Sequence, residues 1–274
     1  MKRARKVAAG DFSVQIPPVR RDGKKDELEV LIEDFNTMAR ELAGNEMLKS
    51  DFIANVSHEI KTPLSIIQSY TKALKDGCVP EAQKEQYMDA ILAASSNLSL
   101  MVTNILKLNK LENQRIFPAP ESYPLGEQLR LCALGFMERW QEKDIEFSID
   151  VSDVTVRYDP SLLELVWNNL LSNAIKFTPR GGAIALTSHT EGNKVFVTVR
   201  DTGCGMDAQS QQKMFEKFYQ GDPSHAAEGN GLGLALVKKV LEIVNGEIFV
   251  RSSPGEGSAF TVVLETDAAP AHIS

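Results

Sequence analysis

At 274 residues the chain has room for about two domains, and with 43% hydrophobic and 24% charged residues it has the make-up of an ordinary globular protein, not a disordered one. A net charge of -7 argues against a nucleic-acid partner, which would want a basic face. Cys78, Cys132 and Cys204 are odd in number and lack CxxC spacing, which excludes a cysteine zinc site and suggests a reducing compartment.

No apolar run approaches the ~20 residues that span a bilayer, and no signal peptide is visible. The chain is therefore expected to be soluble and cytoplasmic, touching a membrane only through a missing upstream segment. Residues 1 to 25 carry Lys2, Arg3, Arg5, Lys6, Arg20, Arg21, Lys24 and Lys25. Such a cluster suits the inner side of a bilayer, and equally a solvated chain end. Gly10-Asp11 and Pro17-Pro18 divide this stretch into a short helix and an extended connector.

From Asp26, Leu28, Leu31, Phe35, Met38 and Leu42 step by three or four, as in a coiled-coil seam. The pattern predicts a helix to about Lys75, a rod of about 75 Å at 1.5 Å per residue, weakened at Gly44-Asn45. Within it, Phe52, Ile53, Val56, Ile60 and Leu64 predict a buried stripe, with Ser57, His58 and Lys61 falling away from it. Pro63 should kink the helix just past the histidine. A histidine on the wet side of a long helix is available for chemistry, although from this stretch alone an ordinary surface residue is the simpler reading.

Asp76-Gly77 and Val79-Pro80 make a turn. A second helix follows over 81–112, with Tyr87, Ile91, Leu98, Val102, Ile105, Leu108 and Leu111 as its stripe. Two helices with one stripe each need further surface. A four-helix bundle made by two chains supplies it, so a homodimer through residues 46–115 is expected. The alternative is docking of the hairpin on its own C-terminal domain.

Residues 116–124, with three prolines, read as a linker. Beyond it the patterns predict a helix over 125–143, strands over 145–151 and 154–158, and a helix over 160–177 with proline near its start. A hairpin over 183–189 and 194–200, a helix over 232–244, and a second hairpin over 247–253 and 258–264 complete the series. Together these predict a two-layer α+β domain over 125–266, followed by a loose tail over 267–274.

Four clusters in this domain carry chemistry. In NNLLSNAIKFT, Asn169, Asn173 and Lys176 fall on one helix face. A carboxamide oxygen suits Mg²⁺ and a lysine suits phosphate, though a polar outer helix face explains the same pattern. In DTGCGM, Asp201 at a strand end can accept from an exocyclic amine, and Gly203 and Gly205 let a planar base approach the backbone. A plain glycine-rich turn is the other reading. In FEKFY, Phe215 and Phe218 could anchor a mobile lid or a core corner. In GNGLGL, Gly229, Gly231 and Gly233 precede a helix start that favours an anion. No GK[ST] follows, so it is not a P-loop.

In their order behind the histidine hairpin, these clusters resemble the sensor histidine kinases of two-component signalling over residues 46–266. HEIKTPL resembles the histidine box, NNLLSNAIKFT the asparagine box, DTGCGM and GNGLGLAL the two glycine boxes, and FEKFY the phenylalanine box. Residues 1–45 resemble a partial HAMP signal-transfer segment. The resemblance implies an all-α hairpin that dimerises as a four-helix bundle, then an ATP-binding domain of the GHKL, or Bergerat, fold with a lid. It implies that Asn173 holds Mg²⁺, that Asn169 and Lys176 lie near the phosphates, and that Asp201 binds the adenine amine. Gly203, Gly205, Gly229, Gly231 and Gly233, with Leu232, Leu234, Phe215, Lys217 and Phe218, would shape the pocket and the ends of the lid.

His58 would accept the γ-phosphoryl group, with Glu59 as its hydrogen-bond partner. An aspartate on a response-regulator receiver domain would then take that group, and Thr62 would serve in dephosphorylating the regulator. Gln220 and His225 stand where many relatives carry lid arginines, leaving Lys217 as the nearby cation. The parent protein would be anchored in a bacterial cell membrane. The competing class is a GHKL ATPase clamp that forms no phosphohistidine.

Overall fold

The structure, a computed structural model, describes residues 16–17, 27–113, 118–221 and 230–266. The whole basic N-terminal cluster, His225, Gly229 and the tail over 267–274 lie outside these. The chain divides into two compact units, residues 1–65 and 66–274.

The first unit is dominated by helix α1, Glu27–Lys75, which runs on into the second. The helix continues through both Gly44-Asn45 and Pro63, because a single proline forfeits one intrahelical bond and the turns on either side keep theirs. Ahead of it, Ile16 is clamped to the helix. Its N–H donates to Asn36 Oδ1 and its carbonyl accepts from Asn36 Nδ2, each at 2.8 Å. The stripe expected to be buried around His58 is not. Ile53 is 62% and Leu64 42% exposed, while Phe52, Val56 and Ile60 are half-buried. Spacing made these residues one-sided, and a single copy of the chain leaves that side open.

In the second unit, the rings of Tyr70 and Tyr87, 4.6 Å apart, close the hairpin across its turn. A 3-10 turn at Glu81–Gln83 leads into helix α2, Lys84–Asn113. Helix α2 has two apolar faces. Ala94, Met101, Leu108 and Leu111 are buried. Met88, Leu92 and Leu106 point to roughly the opposite side and are exposed. The helix also packs on the C-terminal domain of its own chain, through the helix at Gly233–Val244. Being apolar on both sides, the segment Glu81–Asn113 is long and apolar enough, by length and composition alone, to cross a membrane. This corrects the expectation that no segment approaches that limit.

The stretch expected to be a linker ends in strand β1, Glu121–Pro124, which pairs antiparallel with β3, Thr155–Tyr158. The single helix expected over 125–143 is two, α3 at Leu125–Leu134 and α4 at Met137–Glu142. They part at Gly135-Phe136, where glycine weakens the helix. The main sheet adds β2 (Glu146–Asp150), β4 (Ala183–Glu191), β5 (Lys194–Asp201), β6 (Glu247–Ser253) and β7 (Gly257–Glu265), in the order β2-β4-β5-β7-β6. Only β2 and β4 run parallel within it.

Helix α5, Pro160–Phe177, and helix α7, Gly233–Val244, form the second layer. Trp167, Leu163 and Leu171 of α5 and Leu236, Val237 and Val240 of α7 are fully buried, as are Val195 and Val197 of β5 and Val262 of β7. Alternation along β5 sends every second residue into this core. The short helix α6, Ala208–Lys213, was not anticipated. Asp207 caps it by accepting from the Ser210 N–H at 2.7 Å. The architecture is thus a helical hairpin followed by an α/β sandwich.

Candidate nucleotide and phospho-acceptor sites

Helix α5 is the spine of the glycine-rich site, and it is pinned at both ends. Asp159 accepts from the N–H groups of Ser161 and Leu162, and Pro160 opens the helix. At the other end Thr178 Oγ1 donates to the Ala174 carbonyl at 2.6 Å. The Lys143 ammonium donates to the carbonyls of Ile175 and Lys176, both at 2.9 Å, and of Thr178 at 3.3 Å. A cation at a helix C-terminus also meets the negative end of the dipole. Nothing in the sequence pointed to Lys143, which lies more than thirty residues from its partners.

With its apolar face held in the core, α5 presents Asn169, Asn173 and Lys176 half-buried. Asn169 Nδ2 donates to the Leu165 carbonyl at 2.7 Å. A Cβ on Gly233 would stand 2.7 Å from Asn169 Oδ1, so the start of α7 can sit against the asparagine only as glycine. The Lys176 ammonium lies 4.5 Å from the centre of the Phe177 ring, a cation–π contact.

Asp201 ends β5 and is 5% exposed. Its Oδ1 accepts from the N–H of Gly203 at 2.8 Å and of Ser258 at 3.2 Å; Oδ2 takes part in neither bond. Burial raises its pKa, these two bonds lower it, and the net displacement is upward. A Cβ on Gly203 would stand 2.6 Å from the Phe177 carbonyl oxygen, so this loop rests on the C-terminal end of α5. Gly205 packs against the Ser253 carbonyl. Helix α5 therefore joins the two glycine loops, one at each end of its polar face.

Phe215 and Phe218 are half-buried. Phe218 has a left-handed backbone, with φ of 63°, and its N–H donates to the Gly231 carbonyl at 3.0 Å. This bond ties the FEKFY segment to the GNGLGL loop. Lys217 pairs with Glu112 of α2 at 2.7 Å. Leu232 is fully buried and anchors the loop to the core. Leu234 is half-buried. Gly229 lies outside the described residues.

A separate cleft of about 630 Å³ is lined by Tyr123, Leu131, Cys132, Phe136 and Glu164 among others, and holds none of the candidate site residues. Burial, with Glu164 nearby, pushes the Cys132 thiol up to about 12. Gln128 Oε1 accepts from Tyr123 OH and Trp167 Nε1, both at 3.0 Å, so two polar groups of the cleft, Gln128 and Tyr123, are bonded to each other.

In the first unit, the His58 side chain is 80% exposed. Its Nδ1 is 3.9 Å from Glu59 Oε1, too far for a hydrogen bond. Thr62 Oγ1 is turned back to the His58 carbonyl at 3.4 Å.

Residues 158–268 match the family described as "Histidine kinase-, DNA gyrase B-, and HSP90-like ATPase". Residues 48–114 match the "His Kinase A (phospho-acceptor) domain" and residues 1–44 the "HAMP domain". The chain is 31% identical over 265 residues to the signal transduction histidine-protein kinase BaeS of Escherichia coli K12, covering 94% of this chain and 55% of BaeS. It is 32% identical over 238 residues to the sensor-like histidine kinase SenX3 of Mycobacterium tuberculosis H37Rv, covering 86% of this chain and 57% of SenX3. The chain thus spans a little over half the length of these curated relatives.

Among solved structures, full-length ShkA in complex with AMPPNP superposes with a TM-score of 0.58 at 28% identity, over 80% of this chain and 47% of that one. The Acinetobacter baumannii histidine kinase AdeS shares the fold, with a TM-score of 0.64 at 23% identity, over 77% of this chain and 98% of that one. ThkA in complex with the response regulator protein TrrA shares it with a TM-score of 0.68 at 23% identity, over 82% and 64% of the two chains. With an exposed histidine in a segment that matches phospho-acceptor domains and, later in the sequence, an ATPase-like sandwich whose asparagine helix joins two glycine loops, the chain belongs to the sensor histidine kinases of two-component systems.

Proposed function

We propose that the chain is an ATP-dependent protein-histidine kinase that phosphorylates His58 and passes the phosphoryl group to an aspartate of a response regulator. The observation that carries this reading is the exposure of His58: within the segment that matches phospho-acceptor domains, four-fifths of its side chain is open to an incoming group. ShkA was solved with AMPPNP and ThkA with a response regulator, which supports the same assignment.

On this reading the Asp201 carboxylate accepts from the adenine amine, and the glycines at 203 and 205 let the base approach the backbone. Asn169 and Lys176 meet the phosphates, and the start of α7 adds its dipole. Gly229, Gly231, Gly233, Phe215, Phe218 and Leu234 shape the pocket and the segment over it. Among the described residues no group of three His, Cys, Asp or Glu could hold a metal. The half-buried carboxamide of Asn173 nonetheless fits Mg²⁺, an oxygen-seeking ion that it would help to hold and that would draw its remaining ligands from phosphate and water. When bound, Mg²⁺ offsets phosphate charge.

The imidazole nitrogen of His58 remote from Glu59 attacks the γ-phosphorus. A P–N bond forms, the bond to the bridging oxygen breaks, and ADP leaves. Glu59 closes from its present 3.9 Å to orient the other ring nitrogen and stabilise its proton. Positioning supplies most of the rate. Thr62 orients water when the phosphorylated regulator is hydrolysed.

The exposed apolar faces of α1 and α2 meet those of a second copy in a four-helix bundle over 46–115. The domain plan is a partial HAMP segment over 1–45, this hairpin, a connector over 116–124, the ATP-binding domain over 125–266 and a tail over 267–274. The chain works at the cytoplasmic face of a bacterial membrane, to which a preceding segment of the parent protein anchors it.

Incubation with Mg-ATP labelled at the γ-phosphate tests the proposal. The wild-type chain should take up an acid-labile, base-stable phosphate, and His58→Gln should take up none. Hydrolysis of ATP without a stable phosphohistidine would instead favour a GHKL clamp.

A further inference from the structure

Among the described residues, two buried side-chain polar atoms have no hydrogen-bond partner, Asn230 Nδ2 and Thr266 Oγ1. Thr266 stands just past the end of β7, and a hydroxyl can rotate towards whatever accepts it. Asn230 has no such freedom. It is 7% exposed, and its Oδ1 accepts from the Leu232 N–H at 3.2 Å. That bond fixes which way the carboxamide faces, because the flipped amide would set N–H against N–H. Two N–H donors are thus buried at the entrance to α7 with nothing to receive them. Leaving such a group unsatisfied forfeits its full desolvation penalty, and native folds seldom keep one without a reason.

The surroundings say what the missing acceptor is. Helix α7 has twelve residues and begins three positions after Asn230, so its dipole places partial positive charge at this loop. The Leu232 N–H is already used by Asn230 Oδ1, and Leu232 itself is locked in the core. Phe218 N–H already donates to the Gly231 carbonyl. Asn169 Oδ1 is packed against Gly233. Donors outnumber acceptors here and the field favours negative charge, so an anionic oxygen completes the loop.

We propose that the Asn230 side-chain amide donates to a phosphate oxygen of the bound nucleoside polyphosphate and positions the phosphate chain over the start of α7. This rests on the ATP reading above and adds to it a side-chain donor inside the glycine loop, at a position where the motif's glycines drew attention to the backbone alone.

Equilibrium binding of Mg-ATP, Mg-ADP and adenosine to the full chain tests it, with wild type compared to Asn230→Asp and Asn230→Thr. Aspartate keeps the acceptor for Leu232 N–H but replaces both donors with negative charge. Threonine keeps an acceptor and returns one donor. Asn230→Asp should lose tenfold or more in affinity for ATP and ADP while adenosine binds unchanged, which also shows that the domain is folded. Asn230→Thr should fall between it and wild type. Undiminished nucleotide binding by Asn230→Asp, or an equal loss for adenosine, would overturn the inference and leave the ATP reading standing. A wild-type chain that binds no adenine nucleotide would overturn both.

Discussion

Lys217 Nζ lies 2.7 Å from one carboxylate oxygen of Glu112 and 2.9 Å from the other, joining residues 105 positions apart. The pair links the FEKFY segment to the C-terminal end of α2, beside the packing of α2 on α7. It directs to a carboxylate the cation that the sequence offered to phosphate.

Glu112→Gln is therefore expected to raise the rate of His58 autophosphorylation, because it releases the ammonium and loosens the grip of α2 on the ATP-binding domain. Each side chain is about one-third exposed, so the pair contributes only about 0–1 kcal/mol. The rate should rise no more than about fivefold, and the melting temperature should move by about 2 °C or less. A slower reaction, in a variant that melts normally, would show that the pair assists phosphorylation instead of restraining it.

Asp201 is raised from its ordinary value by burial, against two backbone hydrogen bonds. A carboxyl raised in the folded state favours folding at low pH and loses that favour as pH rises through its folded value. The carboxamide introduced by Asp201→Asn never ionises and can still accept from Gly203 and Ser258. The variant should melt at or above the wild-type temperature at pH 7 to 8. It should bind ATP about 10- to 100-fold more weakly, the worth of a hydrogen bond to a charged group. Wild-type affinity should fall on acidification, beginning above the pH at which an ordinary aspartate (about 3.9) would respond, whereas the weak binding of the variant should lack this step. Titrations across pH, paired with melts, read both effects.

Gly255, in the turn after β6, and Gly257, which opens β7, separate backbone strain from crowding. Gly255 has φ of 80° and open space where a Cβ would be. Gly257 has φ of 83° and is packed against the Asp201 carbonyl. Gly255→Ala should cost about 1–2 kcal/mol, the left-handed penalty alone. Gly257→Ala adds a backbone collision and should cost about 3 kcal/mol or more. Urea unfolding of the two variants checks the ranking, and equal costs would refute it.

The two faces of α2 give a test of the dimer. Leu92 and Leu106 are each 65% exposed, opposite the buried Met101 and Leu108. Replacing both exposed leucines with glutamate should convert a dimer to a monomer in sedimentation while the far-ultraviolet circular dichroism stays the same. A double variant that remains dimeric would place the interface elsewhere.

Much of the fold was legible because it follows from local spacing. The helix expected over 160–177, with proline near its start, is α5. The hairpin expected over 183–189 and 194–200 is β4 and β5. The failures share a cause. The break at Gly135 interrupts an otherwise helical stretch, and β1 exists because β3 lies beside it, not because Glu121–Pro124 prefers a strand. The stripe at Ile53 and Leu64 was read correctly as one-sided, but periodicity cannot say whether one copy of the chain can cover it.

The sequence by itself determined which residue types fall on which helix face and which loops are glycine-rich, since these depend on neighbours within a turn or two. The tertiary structure alone decided what those faces meet. It set Gly233 against Asn169, gave Lys217 to Glu112, put Leu232 in the core, ended α5 on Lys143 and left the Asn230 amide without an acceptor. Such contacts join residues far apart in the chain, and sheet order and helix docking bring them together through burial of the shared core.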